Sequence, residues 1–297
     1  MNTDHSSKTS FSIDGHTRLT GLLGSPVSHS MSPKMHNDSF QILGLNYAYL
    51  CFDVDEAHLE TAVQGLRTCG IRGFNLTMPD KNRMAELADE LSPAARLIGA
   101  VNTVVNDNGR LIGHNTDGVG FMRSLQDYDF DIRGKEMTIL GAGGAATAII
   151  AQAALDGCRK LHVFARPTSR FHARTVALLD EINRTTGCRA DLQDMADHTM
   201  LRTCLNDSAL LVNGTPVGMA PDTEASPLPD VSLLHKDLFA ADIIYNPRET
   251  LFLKQAGEAG CRTCNGLYML LYQGAEAFRL WTGEEMPTEI IKERYFK

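Results

Sequence analysis

The chain has no surplus of positive charge: Lys and Arg total 28 against 36 Asp and Glu, a formal net charge of −8. A nucleic-acid surface needs a basic patch, so that class is set aside. Aromatic residues are sparse at 7%, with a single Trp. The 7 cysteines are odd in number and scattered, which is not a disulfide framework but reads as reduced thiols in a cytoplasmic protein. Cys261 and Cys264 form a C-x-x-C with no second ligand pair, so no metal is expected there. The first 18 residues are polar, contain no apolar targeting core and read as a frayed tail. Residues 137–155 lack charge, yet Gly141, Gly143 and Gly144 interrupt them, favouring strand, turn and helix over a membrane span. What is plentiful is 43% hydrophobic residues, 22% charged residues and 25 glycines, enough to fill a core and make many turns. The 297 residues suggest two domains at ~150 residues each.

Short apolar runs alternate with helical-period segments. Strands are predicted at 18–24, 47–54, 71–76, 101–106 and 110–114, the last two flanking the hairpin signal Asp107-Asn108-Gly109. Helices are predicted at 31–43, capped by Ser30 or Ser32, at 55–69, capped by Asp55, and at 81–90, 93–98 and 117–128. A second series follows, with strands at 137–140, 160–165, 209–213, 238–244 and 262–264. Its helices fall at 143–155, 170–186, 250–259, 266–281 and 287–296. This alternation predicts an α/β protein with parallel sheets. The expected division is a substrate-binding and catalytic domain over 1–117 plus 266–297, mainly parallel α/β, and a Rossmann-type dinucleotide domain over 118–265. The C-terminal helices return to the first domain.

Gly141-Ala142-Gly143-Gly144-Ala145-Ala146 follows a strand and opens a helix. Glycine there permits a tight turn and close approach of backbone to a pyrophosphate, and free helix N–H groups hold the anion. An NAD site would place a carboxylate at the tip of the next strand, about 20 residues on. Arg166, Thr168, Ser169 and Arg170 stand there instead, which favours the 2′-phosphate of NADP, with NAD possible.

Three patterns in the first half look chemical. Ser28-His29-Ser30-Met31-Ser32-Pro33 gathers hydroxyls at a helix start, suited to a carboxylate or polyol, or simply to capping. Asn75-Leu76-Thr77-Met78-Pro79-Asp80-Lys81 places polar groups beyond a strand's carboxyl end, where α/β sheets bind ligands. Lys81 in a helical first turn opposes the helix dipole, so either solvent or a partner holds it. Asn102 and Asn115-Thr116-Asp117-Gly118 add amides and a carboxylate, and Asp117 reads either as a helix cap or as the partner of Lys81.

Together with Gly99-Ala100-Val101-Asn102-Thr103, the turn at 213–219, Tyr245-Asn246-Pro247 and Gly266 through Gln273, these motifs resemble the shikimate dehydrogenase family, including its quinate/shikimate branch, over about residues 21–281. The resemblance implies reversible NAD(P)-dependent oxidation of a ring alcohol. In it Lys81 and Asp117 form the catalytic pair, and Ser28 and Ser30 bind the substrate carboxylate. Thr77, Asn102 and Gln273 bind ring hydroxyls with help from Asn75 and Tyr49, and Tyr245 lines the pocket. Gly141, Gly143, Gly144 and Ala145 hold the pyrophosphate, and Arg166 and Arg170 the adenosine ribose. Asn213, Thr215, Met219 and Gly266 complete the cofactor side. The substrate is then shikimate, or quinate in a catabolic alternative. A non-catalytic dinucleotide sensor on the same fold is the remaining reading. Ala165 and Pro167 depart from the family's arginine clamp, where an Asn often precedes the first arginine. Ser28 and Thr77 match its shikimate enzymes, and Tyr49 its quinate branch. A soluble monomer or homodimer is expected.

Overall fold

The computed structural model describes residues 12–77 and 80–297. Its first half builds a six-stranded sheet in the order β2-β1-β3-β5-β6-β4. The strands are β1 (Arg18–Gly24), β2 (Tyr47–Asp53), β3 (Gly73–Leu76), β4 (Glu90–Leu91), β5 (Thr103–Asp107) and β6 (Arg110–His114). Helices α1 (Ser32–Ile42), α2 (Leu59–Thr68), α3 (Lys81–Leu87) and α4 (Pro93–Ile98) connect them. β2, β1 and β3 run parallel, and β5 reverses against both β3 and β6. The reversal follows from the hairpin at Asn108 and Gly109, which take φ of 52° and 92° as a tight two-residue turn requires.

The second half builds an all-parallel sheet in the order β12-β11-β10-β7-β8-β9. Its strands are β7 (Glu136–Leu140), β8 (Lys160–Ala165), β9 (Arg189–Asp194), β10 (Leu210–Asn213), β11 (Phe239–Asp242) and β12 (Arg262–Cys264). This is the doubly wound order of dinucleotide-binding sheets, with its switch point between β7 and β10. Helices α6 (Gly144–Leu155), α7 (His172–Thr185), α8 (His198–Asp207) and α9 (Leu251–Glu258) accompany it. Eight residues of α6 are buried, as its Ala- and Ile-rich sequence requires.

Helices α5 (Asp117–Gln126) and α10 (Leu267–Thr282) join the halves, with α5 lying between α6 and α10. α11 (Thr288–Tyr295) ends the chain. Glycines let α5 fit. A Cβ on Gly118 would come within 2.6 Å of the Gln152 Cβ, and one on Gly120 within 2.7 Å of the Met269 carbonyl oxygen. α10 returns to the first sheet: Leu271, Phe278 and Trp281 share a core cluster with Leu22, Tyr49 and Val105. The Trp281 indole donates to the Val104 carbonyl over 2.9 Å, and only a glycine at 73 leaves it room.

Several boundaries differ from the sequence expectations. Neither Ser30 nor Ser32 caps α1; Met31 holds the N-cap position without a side-chain bond, and Ser30 accepts the Ser32 N–H over 3.2 Å. α2 begins at Leu59, because Asp55 accepts the His58 N–H over 3.0 Å in a turn before the helix. β9 and α8 were not predicted. β9 is a half-exposed edge strand in which only Ala190 and Leu192 alternate with polar residues, and α8 is predominantly polar. Cys261 and Cys264 are buried. Among the described residues, no cluster of three or more His, Cys, Asp or Glu is arranged for a metal, and no helix is long and apolar enough to cross a membrane.

Candidate active site

Lys81 opens α3 at the carboxyl end of the first sheet, and Asp117 opens α5 across the cleft. The Lys81 Nζ lies 2.7 Å from the Asp117 Oδ2. Asp117 sits at a helix N-terminus, where negative charge is favoured, and its carboxylate offsets the opposition between Lys81 and the α3 dipole. The second carboxylate oxygen accepts from the Asn102 Nδ2 over 2.8 Å. Asn102 is itself fixed, since its Oδ1 accepts the Thr116 backbone N–H over 2.8 Å. The Asn115 Oδ1 accepts the Asp117 N–H over 3.2 Å. Asp117 is therefore both the first residue of a helix and the partner of Lys81.

Around the pair is a cavity of about 440 Å³. Ser30, Asn75, Thr77, Asn102, Tyr245 and Gln273 line it, all expected to face substrate. Two expected contacts are elsewhere. Ser28 is exposed and does not line the cavity, although its neighbours Val27 and His29 do. Tyr49 is 1% exposed and sits beneath the cavity floor, its hydroxyl donating to the Asn75 Oδ1 over 2.9 Å. Met78 and Pro79 of the same motif lie outside the described residues.

The second sheet brings the nucleotide motif to the same cleft. Gly141 takes φ of +98°, and a Cβ there would lie 2.8 Å from the Thr215 Cγ2. Gly143 and Gly144 face open space at the start of α6, whose N-cap makes no side-chain bond and whose first turn carries no acidic residue. Free N–H groups beside open space are what a pyrophosphate requires. A cavity of about 730 Å³ runs from Gly141 and Gly143 past Thr215 to Arg166, Ser169 and Arg170. A further cavity of about 420 Å³ is lined by Gly143, Gly144, Ala145, Thr215, Met219 and Tyr245. Ala145 and Tyr245 also line the cavity of the Lys81–Asp117 pair, so the nucleotide cleft and this pair adjoin. The residues present fit a dinucleotide.

Two residues expected on the cofactor side line neither nucleotide cavity. Asn213 is fully buried, and its amide is spent inside the protein. Its Oδ1 accepts from the Thr215 backbone N–H over 3.0 Å and from the Thr215 hydroxyl over 2.7 Å, while its Nδ2 donates to Asp242 over 3.2 Å. It shapes the turn that presents Thr215. Gly266 lines the cavity of the Lys81–Asp117 pair beside Ala145 and Tyr245, which also line a nucleotide cavity; a Cβ there would strike the Ile243 carbonyl.

Sequence reasoning also missed His36 and Asn37. Asn37 grips Tyr49 with both ends of its amide, accepting the Tyr49 N–H over 2.8 Å and donating to the Tyr49 carbonyl over 2.9 Å. His36 is fully buried and stacks on the Tyr49 ring at 4.5 Å and 7°. Burial pushes its pKa down to about 3. No local motif marks either residue; only the pairing of α1 with β2 places them under Tyr49.

Residues 22–104 match the substrate-binding domain of shikimate dehydrogenase, and residues 266–294 its C-terminal domain. A relative from Listeria innocua named shikimate dehydrogenase (NADP(+)) is 49% identical over 284 residues, spanning 96% of this chain and 97% of that one. The chain belongs to the shikimate dehydrogenase family. Among solved structures of the family, the Listeria monocytogenes enzyme in complex with shikimate and NAD is 49% identical, with a TM-score of 0.92. The match covers 95% of this chain and 97% of that one. Quinate dehydrogenase from Corynebacterium glutamicum in complex with NAD is 33% identical, with a TM-score of 0.83, over 94% and 99% of the two chains. The family's oxidoreductase chemistry and nicotinamide cofactor agree with the cleft described above.

Proposed function

We propose that this chain reversibly interconverts shikimate and 3-dehydroshikimate, with NADP favoured over NAD, in the route to aromatic amino acids. The observation that carries this reading is the Lys81–Asp117 pair, 2.7 Å apart, in a cavity that shares Ala145 and Tyr245 with the nucleotide cleft. The bound nicotinamide supplies or accepts the hydride at the ring carbon. This chain's residues position the alcohol and handle its proton.

In the oxidative direction the substrate hydroxyl must lose a proton, and the Lys81–Asp117 pair receives it; in reduction the pair returns it. Asn102 keeps Asp117 turned toward Lys81. Ser30 is placed for the carboxylate, and Thr77, Asn75 and Gln273 for the ring hydroxyls. Arg166 and Arg170 take the adenosine ribose end. Residues 1–117 with 266–297 form the substrate domain and 118–265 the nucleotide domain. The chain works in the cytoplasm as a monomer or homodimer.

Greater identity to relatives named for shikimate and NADP, against 33% for the quinate enzyme, supports shikimate over quinate. The test is a set of initial rates with shikimate or quinate, each with NADP or NAD. A dominant shikimate and NADP rate is expected. Faster quinate and NAD turnover assigns the chain to the quinate branch, and nucleotide binding without turnover makes it a sensor.

A further inference from the structure

Arg174 lies on α7, immediately after the 166–171 segment that helps line the ribose end of the nucleotide cavity. Its guanidinium donates to the Ile98 carbonyl over 2.6 Å and reaches the Asn82 Oδ1 at 3.5 Å. Among the described residues, these are the hydrogen bonds that join residues 12–117 to residues 136–264. The remainder of that junction is apolar, with Ile98 and Ala100 in one cluster with Ala148 and Leu178.

Ile98 is the last residue of α4, where free carbonyls accumulate and a cation is favoured. It also begins a segment that touches both members of the catalytic pair. The Val101 N–H donates to the Lys81 carbonyl over 2.8 Å. The Asn102 side chain donates to Asp117 over 2.8 Å. The Ala100 carbonyl between them accepts from the Asn115 side chain over 3.1 Å. Half-buried Arg174 has no carboxylate partner among the described residues, so its desolvation is offset only while Ile98 stays within reach.

We infer that Arg174 is a positioning residue that ties the arm holding the cofactor's ribose end to the segment that sets Lys81 and Asp117. Occupation of the nucleotide cleft is then felt at the catalytic pair, and substrate is felt at the nucleotide cleft. The inference rests on the proposed function, because it needs both ligands.

The test uses Arg174→Gln and Arg174→Lys in the full chain. The dissociation constant of NADPH is read from its fluorescence with and without saturating shikimate, a pair that cannot react. In the parent chain shikimate should tighten NADPH by a factor on the order of 5 to 150. Arg174→Gln should bind NADPH alone within about twofold of the parent but lose most of that factor, and its kcat should fall about 10- to 100-fold, as for misplaced reacting groups. Arg174→Lys should fall between the two. Melting temperatures that match the parent exclude a general loss of structure. The inference is overturned if Arg174→Gln keeps the parent's coupling, or if the parent shows none although it oxidises shikimate. A parent that neither binds nor oxidises shikimate defeats the functional reading, and this inference with it.

Discussion

The Tyr49 hydroxyl donates to the Asn75 side-chain oxygen over 2.9 Å. The other end of that amide donates to the Thr103 hydroxyl over 2.9 Å and to the Asn102 carbonyl over 3.2 Å. Asn75 is thus held one way round, with only its oxygen left to meet a ligand, and it can accept a hydrogen bond from a ring hydroxyl but cannot donate one. Tyr49→Phe removes the bond that aims this oxygen, although the Asn102 carbonyl still fixes which end of the amide donates. A neutral hydrogen bond contributes about 0.5–1.5 kcal/mol, so KM for shikimate should rise about two- to tenfold with kcat little changed. Steady-state kinetics check this, and an unchanged KM defeats it.

If the Lys81–Asp117 pair carries the proton, Lys81→Ala disables it and leaves the nucleotide cleft untouched. General acid–base help contributes typically 10²–10⁴-fold, so kcat should fall by about that factor while NADPH affinity stays at the parent value. Turnover within a few-fold of the parent would remove Lys81 from the mechanism.

Arg166 and Arg170 line the nucleotide cavity beside Thr168 and Ser169, where the adenosine ribose is proposed to lie. If they hold a 2′-phosphate, replacing both by Ala should raise KM for NADP by about 10- to 100-fold, as for lost charge-assisted bonds, and barely move KM for NAD. Equal effects on the two cofactors would show that the arginines do not read the phosphate.

His36 gives the acid limb of stability a defined sign. Burial lowers its pKa to about 3, from an ordinary value of 6.5. Between those values the unfolded chain binds a proton that the folded chain refuses. The stabilisation is therefore complete above pH 6.5 and declines as pH falls toward 3. At pH ~5 the loss approaches about 2 kcal/mol. Urea midpoints at pH ~7.5 and ~5 should fall further for the parent than for His36→Phe, which keeps the ring stacked on Tyr49. Parallel declines would show that His36 does not contribute.

Much of this architecture was legible because particular residues punctuate it. Asp107-Asn108-Gly109 announced the β5–β6 hairpin, and Gly24, Gly109 and Gly266 bound elements whose limits were read closely. Gly141 through Ala146 announced the nucleotide turn from local chemistry alone. Contacts between distant segments were another matter. Spacing did not bring Lys81 to Asp117; it left Asp117 equally readable as a cap. Asn213 sits in a motif that looked ligand-facing, yet Thr215 and Asp242 claim its amide. Tyr49 enters the substrate set only through the family resemblance, and the stacking of His36 places it one layer below. β9 escaped notice because its alternation rests on Ala190 and Leu192 alone, among polar residues at a half-exposed edge.

Trp281 completes the core of the first sheet from the far end of the chain, 177 residues beyond the Val104 carbonyl it bonds. The order of manufacture is therefore not the order of completion. As the chain leaves the ribosome, β1 through β6 emerge first but lack the helix that fills their aromatic centre. The parallel sheet that emerges later closes on its own strands, all present by Cys264. The half made first is finished last, and a chain released before α10 would expose Phe40, Tyr47 and Tyr49 to water.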